Sequence, residues 1–278
     1  MPGAEHPDHA ADLAADHADE SLGRIASVRV RLLPRPRDRA LVDELLGAIR
    51  SGRWSPNPGF VKRDKGRWVW LGAFRVADGE LGLVIKGRRR PRLGWLPDRH
   101  AIRQAIGAAR LVRIGVPTSE PIALLDVNTT AGDRQRWLVL RAIPGESLAH
   151  VIAQGGMSFD AESALARRAG ALVRTLGDAG LFNRDHKVSN LIVSASGELG
   201  IVDTVAIRRR RPGGPSRRRM LLAMCKELSG IGAMPRRAAL LRCLRSASDD
   251  VRADWRSIGA LRRSAGDTTP RVDPLVRG

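Results

Sequence analysis

Asn183-Arg184-Asp185-His186-Lys187-Val188-Ser189-Asn190, followed across a few residues by Ile201-Val202-Asp203, is the stretch whose reading decides the fold. Leu181 to Asn190 is polar and apolar by turns, which reads as a loop. Leu191-Ile192-Val193 and Leu199-Gly200-Ile201-Val202 are short apolar runs closed at Ser196-Gly197, the pattern of a tight hairpin. One at a time, Asp185 and Asp203 are ordinary turn formers and Asn190 an ordinary cap. Together they offer a carboxylate able to accept a hydroxyl proton, and an amide and a carboxylate able to ligate a hard divalent cation.

Working outward, Arg67 to Val76 and Leu81 to Lys86 are β-rich runs on either side of Ala77-Asp78-Gly79-Glu80, where Asp-Gly marks a turn, and the second run ends in Lys86. Before them, Leu41, Leu45, Leu46 and Ile49 share one helical face and the segment stops at Ser51-Gly52. After an Arg/Pro/Gly-rich connection from Arg88 to Pro97, the repeat Ile102, Ala105/Ile106, Ala109, Val112 predicts a helix ending at Gly115. Ile122 to Val127 and Trp137 to Leu140 read as two further strands. Past Ile143-Pro144-Gly145 the chain turns helical, at Leu148 to Ala153 and Ala161 to Leu176. The expected organisation is an acidic tail over 1–22, a sheet lobe with one crossing helix over 23–142, and a helical lobe carrying the loop over 143–278.

The quoted loop resembles the protein-kinase catalytic loop H-R-D-x-K-x-x-N, with Asn183 where His is usual. Leu83-Val84-Ile85-Lys86 resembles the kinase V-A-I-K strand, and Asp203 stands at the spacing of the D-F-G aspartate. Further segments are similar to the lipopolysaccharide kinase (Kdo/WaaP) family: Lys62-Arg63-Asp64-Lys65-Gly66-Arg67, Gly115 to Pro121, Ile143-Pro144-Gly145-Glu146-Ser147-Leu148, and Asp203-Thr204-Val205-Ala206-Ile207-Arg208. The resemblance covers residues 60–247. It implies a two-lobed α+β protein-kinase-like fold, an N-terminal antiparallel sheet lobe plus a mainly helical C-terminal lobe, with ATP and Mg2+ in the cleft.

Carried over residue by residue, it implies Asp185 as catalytic base, Lys187 as partner of the transferred phosphate, and Asn190 and Asp203 as metal ligands. Lys86 becomes the phosphate anchor, Lys65, Gly66 and Arg67 the cover over the phosphates, and Arg141 to Ile143 the backbone facing adenine. The implied acceptor is a sugar hydroxyl of an anionic glycolipid such as lipopolysaccharide core, at the cytosolic face of the inner membrane. Three departures stand out. There is no G-x-G-x-x-G; the only acid between Lys86 and Gly115 is Asp98, so Gln104 is a neutral stand-in for the usual helix Glu; and Asn183 replaces His.

The remaining features are compositional. The 278 residues carry a formal charge of +19, and residues 1–20 hold six acids with no Lys or Arg, leaving 48 basic against 23 acidic residues in the remainder, a charge of +25. Such a field attracts polyanions: nucleic acid, anionic lipid or a phosphorylated substrate. Seven arginines between Arg208 and Arg219 are expected beside the acceptor, where their forks suit phosphate or carboxylate. Aromatics are only 4% and no nucleic-acid-binding motif occurs, so a nucleic-acid binder ranks last among the readings, behind a pseudokinase, a nucleotide-binding scaffold without turnover. Cys225 and Cys243 lack metal or disulfide spacing and are expected to be reduced core residues; His6, His9 and His17 belong to the solvated tail. No segment predicts a membrane span or secretory signal.

Overall fold

The computed structural model describes residues 25–32, 38–56, 60–64, 66–76, 79–89, 98–130, 132–233 and 235–264. The acidic tail with its three histidines, Lys65, and most of the Arg88 to Pro97 connection lie outside these residues. The chain is mixed α/β and forms two units: Met1–Leu96 with Pro121–Ala142, and Pro97–Glu120 with Ile143–Gly278. No described helix is long and apolar enough to cross a membrane.

The first unit is a six-stranded antiparallel sheet. Its strands are β1 (Ile25–Leu32), β2 (Phe60–Asp64), β3 (Arg67–Val76), β4 (Gly79–Arg89), β5 (Pro121–Thr129) and β6 (Arg134–Arg141), in the order β1-β5-β6-β4-β3-β2. Period-two alternation buries Trp68, Trp70 and Phe74 of β3 with Leu83 and Ile85 of β4. Helix α1 (Arg39–Arg50) covers that face with Val42, Leu45, Leu46 and Ile49. Trp68 and Trp137 meet edge to face at 5.5 Å. Gly87 lies opposite Trp68 in the register, and a Cβ there would come within 1.9 Å of the indole, so the glycine makes room for the ring. Strand β4 runs beyond the expected Lys86 because Arg88 and Arg89 still pair with Arg136 and Gln135 of β6.

The second unit begins with helix α2 (Arg99–Arg113). Asp98, the lone acid of this region, caps it by accepting from the His100 and Ala101 amides. The sequence places this helix with the sheet lobe; its described contacts instead join it to the second unit, because Gly107 lets the backbone of Thr204 approach. The chain continues through β7 (Glu146–Ser147), α3 (Leu148–Gln154), α4 (Phe159–Asp178), β8 (Leu181–Asn183), β9 (Leu191–Val193), β10 (Leu199–Ile201) and β11 (Ile207–Arg209). Helices α5 (Gly214–Gly230), α6 (Arg237–Ala247) and α7 (Val251–Ser264) follow.

Leu172, Val173 and Leu176 of α4 pack with Met220, Leu221 and Met224 of α5 and Leu240 and Leu244 of α6 in one apolar core. Cys225 and Cys243 are buried within it as thiols, and burial pushes the Cys243 thiol up to about 12. Buried Arg217 ties the layers together, bonding Asp178 at the end of α4 and Asp249 in the link before α7.

Among the described residues the sheet holds a buried ion pair, Arg136 with Asp126, register partners on β5 and β6 joined at 2.7 Å and almost fully shielded from solvent. Breaking such a pair leaves an uncompensated buried charge. Asp126→Ala is expected to cost about 3–5 kcal/mol in urea unfolding, and replacing both partners with apolar residues of similar volume to recover most of it.

Candidate active site

In the second unit, four of the expected residues converge through one hairpin. Strands β9 and β10 pair Leu191 with Ile201, and the ladder extends one step further, where the Val202 amide donates to the Asn190 carbonyl at 3.0 Å. Asn190 and Asp203 therefore leave adjacent ends of the same ladder. Asn190 is also the last residue of a 3-10 turn, Val188–Asn190. Its Nδ2 donates to the Asp185 carbonyl at 3.0 Å and to Asp185 Oδ2 at 3.4 Å, so the side-chain oxygen is the atom of Asn190 suited to a cation. Lys187 Nζ lies 2.9 Å from Asp185 Oδ1. That hydrogen bond, with the charges of Asp185, Glu227 and Asp203, raises the lysine pKa against the opposing effect of burial, so the ammonium is held charged.

Asp203 is the only described non-glycine residue with positive φ, at φ 57° and ψ 63°. A left-handed conformation costs an L-residue about 1–2 kcal/mol, and such strain persists where the surroundings over-determine it. The surroundings here are specific. Before Asp203, the Ile201 amide donates to the Pro117 carbonyl at 2.8 Å, and Thr118 Oγ1 donates to the Ile201 carbonyl at 2.7 Å. After it, Thr204 Oγ1 donates to the Gln104 carbonyl at 2.6 Å, and a Cβ on Gly107 would meet the Thr204 carbonyl oxygen at 2.0 Å. The backbone is pinned on both sides, which holds Asp203 in its left-handed turn.

Two residues that the sequence reading left without a role position the loop. Asn183 is buried, and its Oδ1 accepts from the Asp185 amide at 3.1 Å while its own amide faces Met220 Sδ. The residue in place of the usual His is thus a backbone brace. Glu227, 38 residues along on α5, accepts from the Ser189 amide at 3.0 Å and the Ser189 hydroxyl at 2.5 Å. A lone acid on a helix gives no local signal of this contact.

The other expected residues lie on the sheet unit. Lys86 is half-buried on β4, registered between Val69 and Leu138, on the face opposite Leu83 and Ile85. Gly66, at φ 77°, makes the turn between β2 and β3, and its carbonyl accepts from the Arg89 amide at 3.1 Å; Arg67 opens β3. Arg141 closes β6 with its guanidinium 3.4 Å from Asp38 Oδ1. Ile143 belongs to the second unit, where its side chain lies against Gly200. In α2, Gln104 is completely buried, and neither side-chain polar atom has a hydrogen-bond partner among the described residues.

The arginine run is not uniform. Arg217 and Arg218 are committed to Asp178, Asp249 and Asp254, which removes them from any ligand-facing set, whereas Arg208 to Arg211 remain at the surface or half-buried. Among the described residues no group of three or more His, Cys, Asp or Glu side chains gathers as a metal-holding cluster. An amide oxygen and one carboxylate match instead the sparse hard-oxygen set by which Mg2+ is held together with substrate phosphates. No protein-family model matches the chain, and no curated protein matches it in sequence.

His186, fully buried between Asp185 and Lys187, has its pKa lowered by burial from 6.5 to about 4. Its unfolded-state pKa is the higher one, so the stability gained by keeping it neutral is present above about pH 6.5 and is lost as pH falls towards 4. The loss amounts to about 3 kcal/mol in full. Urea unfolding at pH 7.5 and pH 5 should show this slope in the wild type, and a flatter one in His186→Gln.

Proposed function

We propose that this chain is an ATP- and Mg2+-dependent phosphotransferase with a two-lobed protein-kinase-like fold, of the lipopolysaccharide kinase (Kdo/WaaP) type. The observation that carries the reading is the hairpin that sets Asn190 and Asp203 side by side, with Asp203 held left-handed and Asp185 bonded to both Asn190 and Lys187. Magnesium-ATP would supply the transferable phosphoryl group and a cation to offset its charge. Asn190 Oδ1 and the Asp203 carboxylate would hold that cation, and Lys86 on its strand would be the counter-charge for the nucleotide phosphates. Asp185 accepts the hydrogen bond of the acceptor hydroxyl and takes its proton. Lys187 stays protonated beside Asp185 and offers positive charge to the departing or arriving phosphate.

The acceptor is a sugar hydroxyl on an anionic glycolipid such as lipopolysaccharide core, reached from the cytosolic face of a membrane. Support for that class comes from the basic body and the motif resemblance. A small-molecule or protein acceptor would use the same chemistry, because a fold does not fix a substrate.

Purified wild type is expected to bind ATP only with magnesium and to hydrolyse it slowly in the absence of acceptor. Asp203→Ala should lose both, while Asp185→Asn should bind normally and turn over about 10²–10⁴-fold more slowly. Binding without turnover, with or without core glycolipid, would make the chain a pseudokinase. Absence of nucleotide binding would overturn the assignment of Lys86, Asp185, Asn190 and Asp203 together.

A further inference from the structure

The last turn of α2 and strand β11 bring four arginines together. Arg110 and Arg113 stand one turn apart on the helix, and Arg208 and Arg209 are neighbours on the strand. Arg110 Nη1 donates to the Ile207 carbonyl at 3.2 Å. Arg208 Nη1 donates to the same oxygen at 3.1 Å and to the Val205 carbonyl at 2.7 Å. Two guanidinium nitrogens on one oxygen can be no farther apart than the sum of those two distances, which is close for two cations.

Burial, and then the charges of Arg209, Arg208 and Arg113, all lower the Arg110 pKa, and no carboxylate counters them. None of the four has an ion-pair partner among the described residues. Arg136, Arg174, Arg217 and Arg218 each meet an aspartate. A helix C-terminus welcomes one or two cations through its dipole, which accounts for Arg113. It does not account for a half-buried Arg110 set against two further guanidiniums on a strand.

We propose that Arg110, Arg113, Arg208 and Arg209 form a binding site for a phosphate group, separate from the residues assigned to the nucleotide. A phosphate dianion accepts several charge-assisted hydrogen bonds at once and cancels the repulsion that the empty cluster carries. Strand β11 pairs with β8, and the Arg184 amide donates to the Ala206 carbonyl at 3.3 Å, so the cluster adjoins the segment that leads into Asp185. The phosphate is one already carried by a bound ligand or one attached to this chain.

The test of the site itself uses the full chain without magnesium or nucleotide, so that it stands whether or not the kinase reading does; magnesium-ATP enters only afterwards, to tell the two sources of the phosphate apart. Thermal unfolding and calorimetric titration are run with inorganic phosphate against chloride at matched ionic strength. The wild type is compared with Arg113→Gln/Arg209→Gln, both exposed positions, and with the control Arg245→Gln/Arg252→Gln. In chloride the cluster variant should melt at or above the wild type, because repulsion is relieved. In phosphate the wild type and the control should rise further than the cluster variant, which keeps only the general stabilisation by an excluded salt, and its phosphate affinity should fall at least about tenfold, the factor for 1.4 kcal/mol.

Equal phosphate responses in all three proteins, or no response in the wild type, would overturn the site. Glucose 6-phosphate binding at least about tenfold tighter than inorganic phosphate, a gain of about 1.4 kcal/mol, would assign the phosphate to a ligand. A form of the chain phosphorylated by magnesium-ATP, detected by intact mass and no longer responsive to added phosphate, would assign it to the protein.

Discussion

The hydrogen bond from the Val202 amide to the Asn190 carbonyl is the constraint on which the candidate site depends. It extends the ladder of a three-residue hairpin by one step and thereby fixes the ends of two otherwise unrelated segments, one closing in an amide and the other opening in a carboxylate. A β-ladder repeats at fixed spacing, so the separation of Asn190 and Asp203 is set by register rather than by loop conformation. The short apolar runs on either side exist to hold that register: Leu191 and Ile201, which face each other across it, are completely buried.

Around this hairpin the second unit is built as a set of braces. Asn183 holds the Asp185 amide, Glu227 holds Ser189, Thr118 holds Ile201, and α2 presses on Thr204 through the bare backbone of Gly107. Each brace comes from a different element, so the geometry of the loop is over-determined. That redundancy is what lets Asp203 remain in a left-handed conformation. The same docking of α2 carries Arg110 to β11, so the arrangement that orients the aspartate also assembles the arginine cluster. One helix contact thus bears on both the aspartate turn and the separate arginine cluster.

Legibility in the sequence followed the range of the interactions. The hairpin was readable because Ser196-Gly197 separates two apolar runs, and the start of α2 because Asp98 precedes a helical repeat. Strand β1, not among the expected strands, carries a signal in the alternation of Val28, Arg29, Val30 and Arg31. Strand β11 had none, since Ile207-Arg208-Arg209 is held by its pairing with β8 rather than by any alternation of its own. The left-handed Asp203 was invisible because the residue is not glycine and the conformation is imposed from outside. The bonds of Glu227 to Ser189 and of Arg217 to Asp178 span more than 35 residues, and their partners are indistinguishable in sequence from any solvated charge. The motif residues are named by the resemblance, whereas the residues that hold them leave no local pattern.

The central claim is that this hairpin is where a nucleotide-bound divalent cation sits. Manganese substituted for magnesium, added with ATP to isotopically labelled protein, tests it by paramagnetic broadening of backbone amide signals. The account predicts the strongest broadening at Asn190 and at Val202 to Thr204, all of it dependent on ATP. Broadening centred elsewhere, or none when ATP is present, would contradict it.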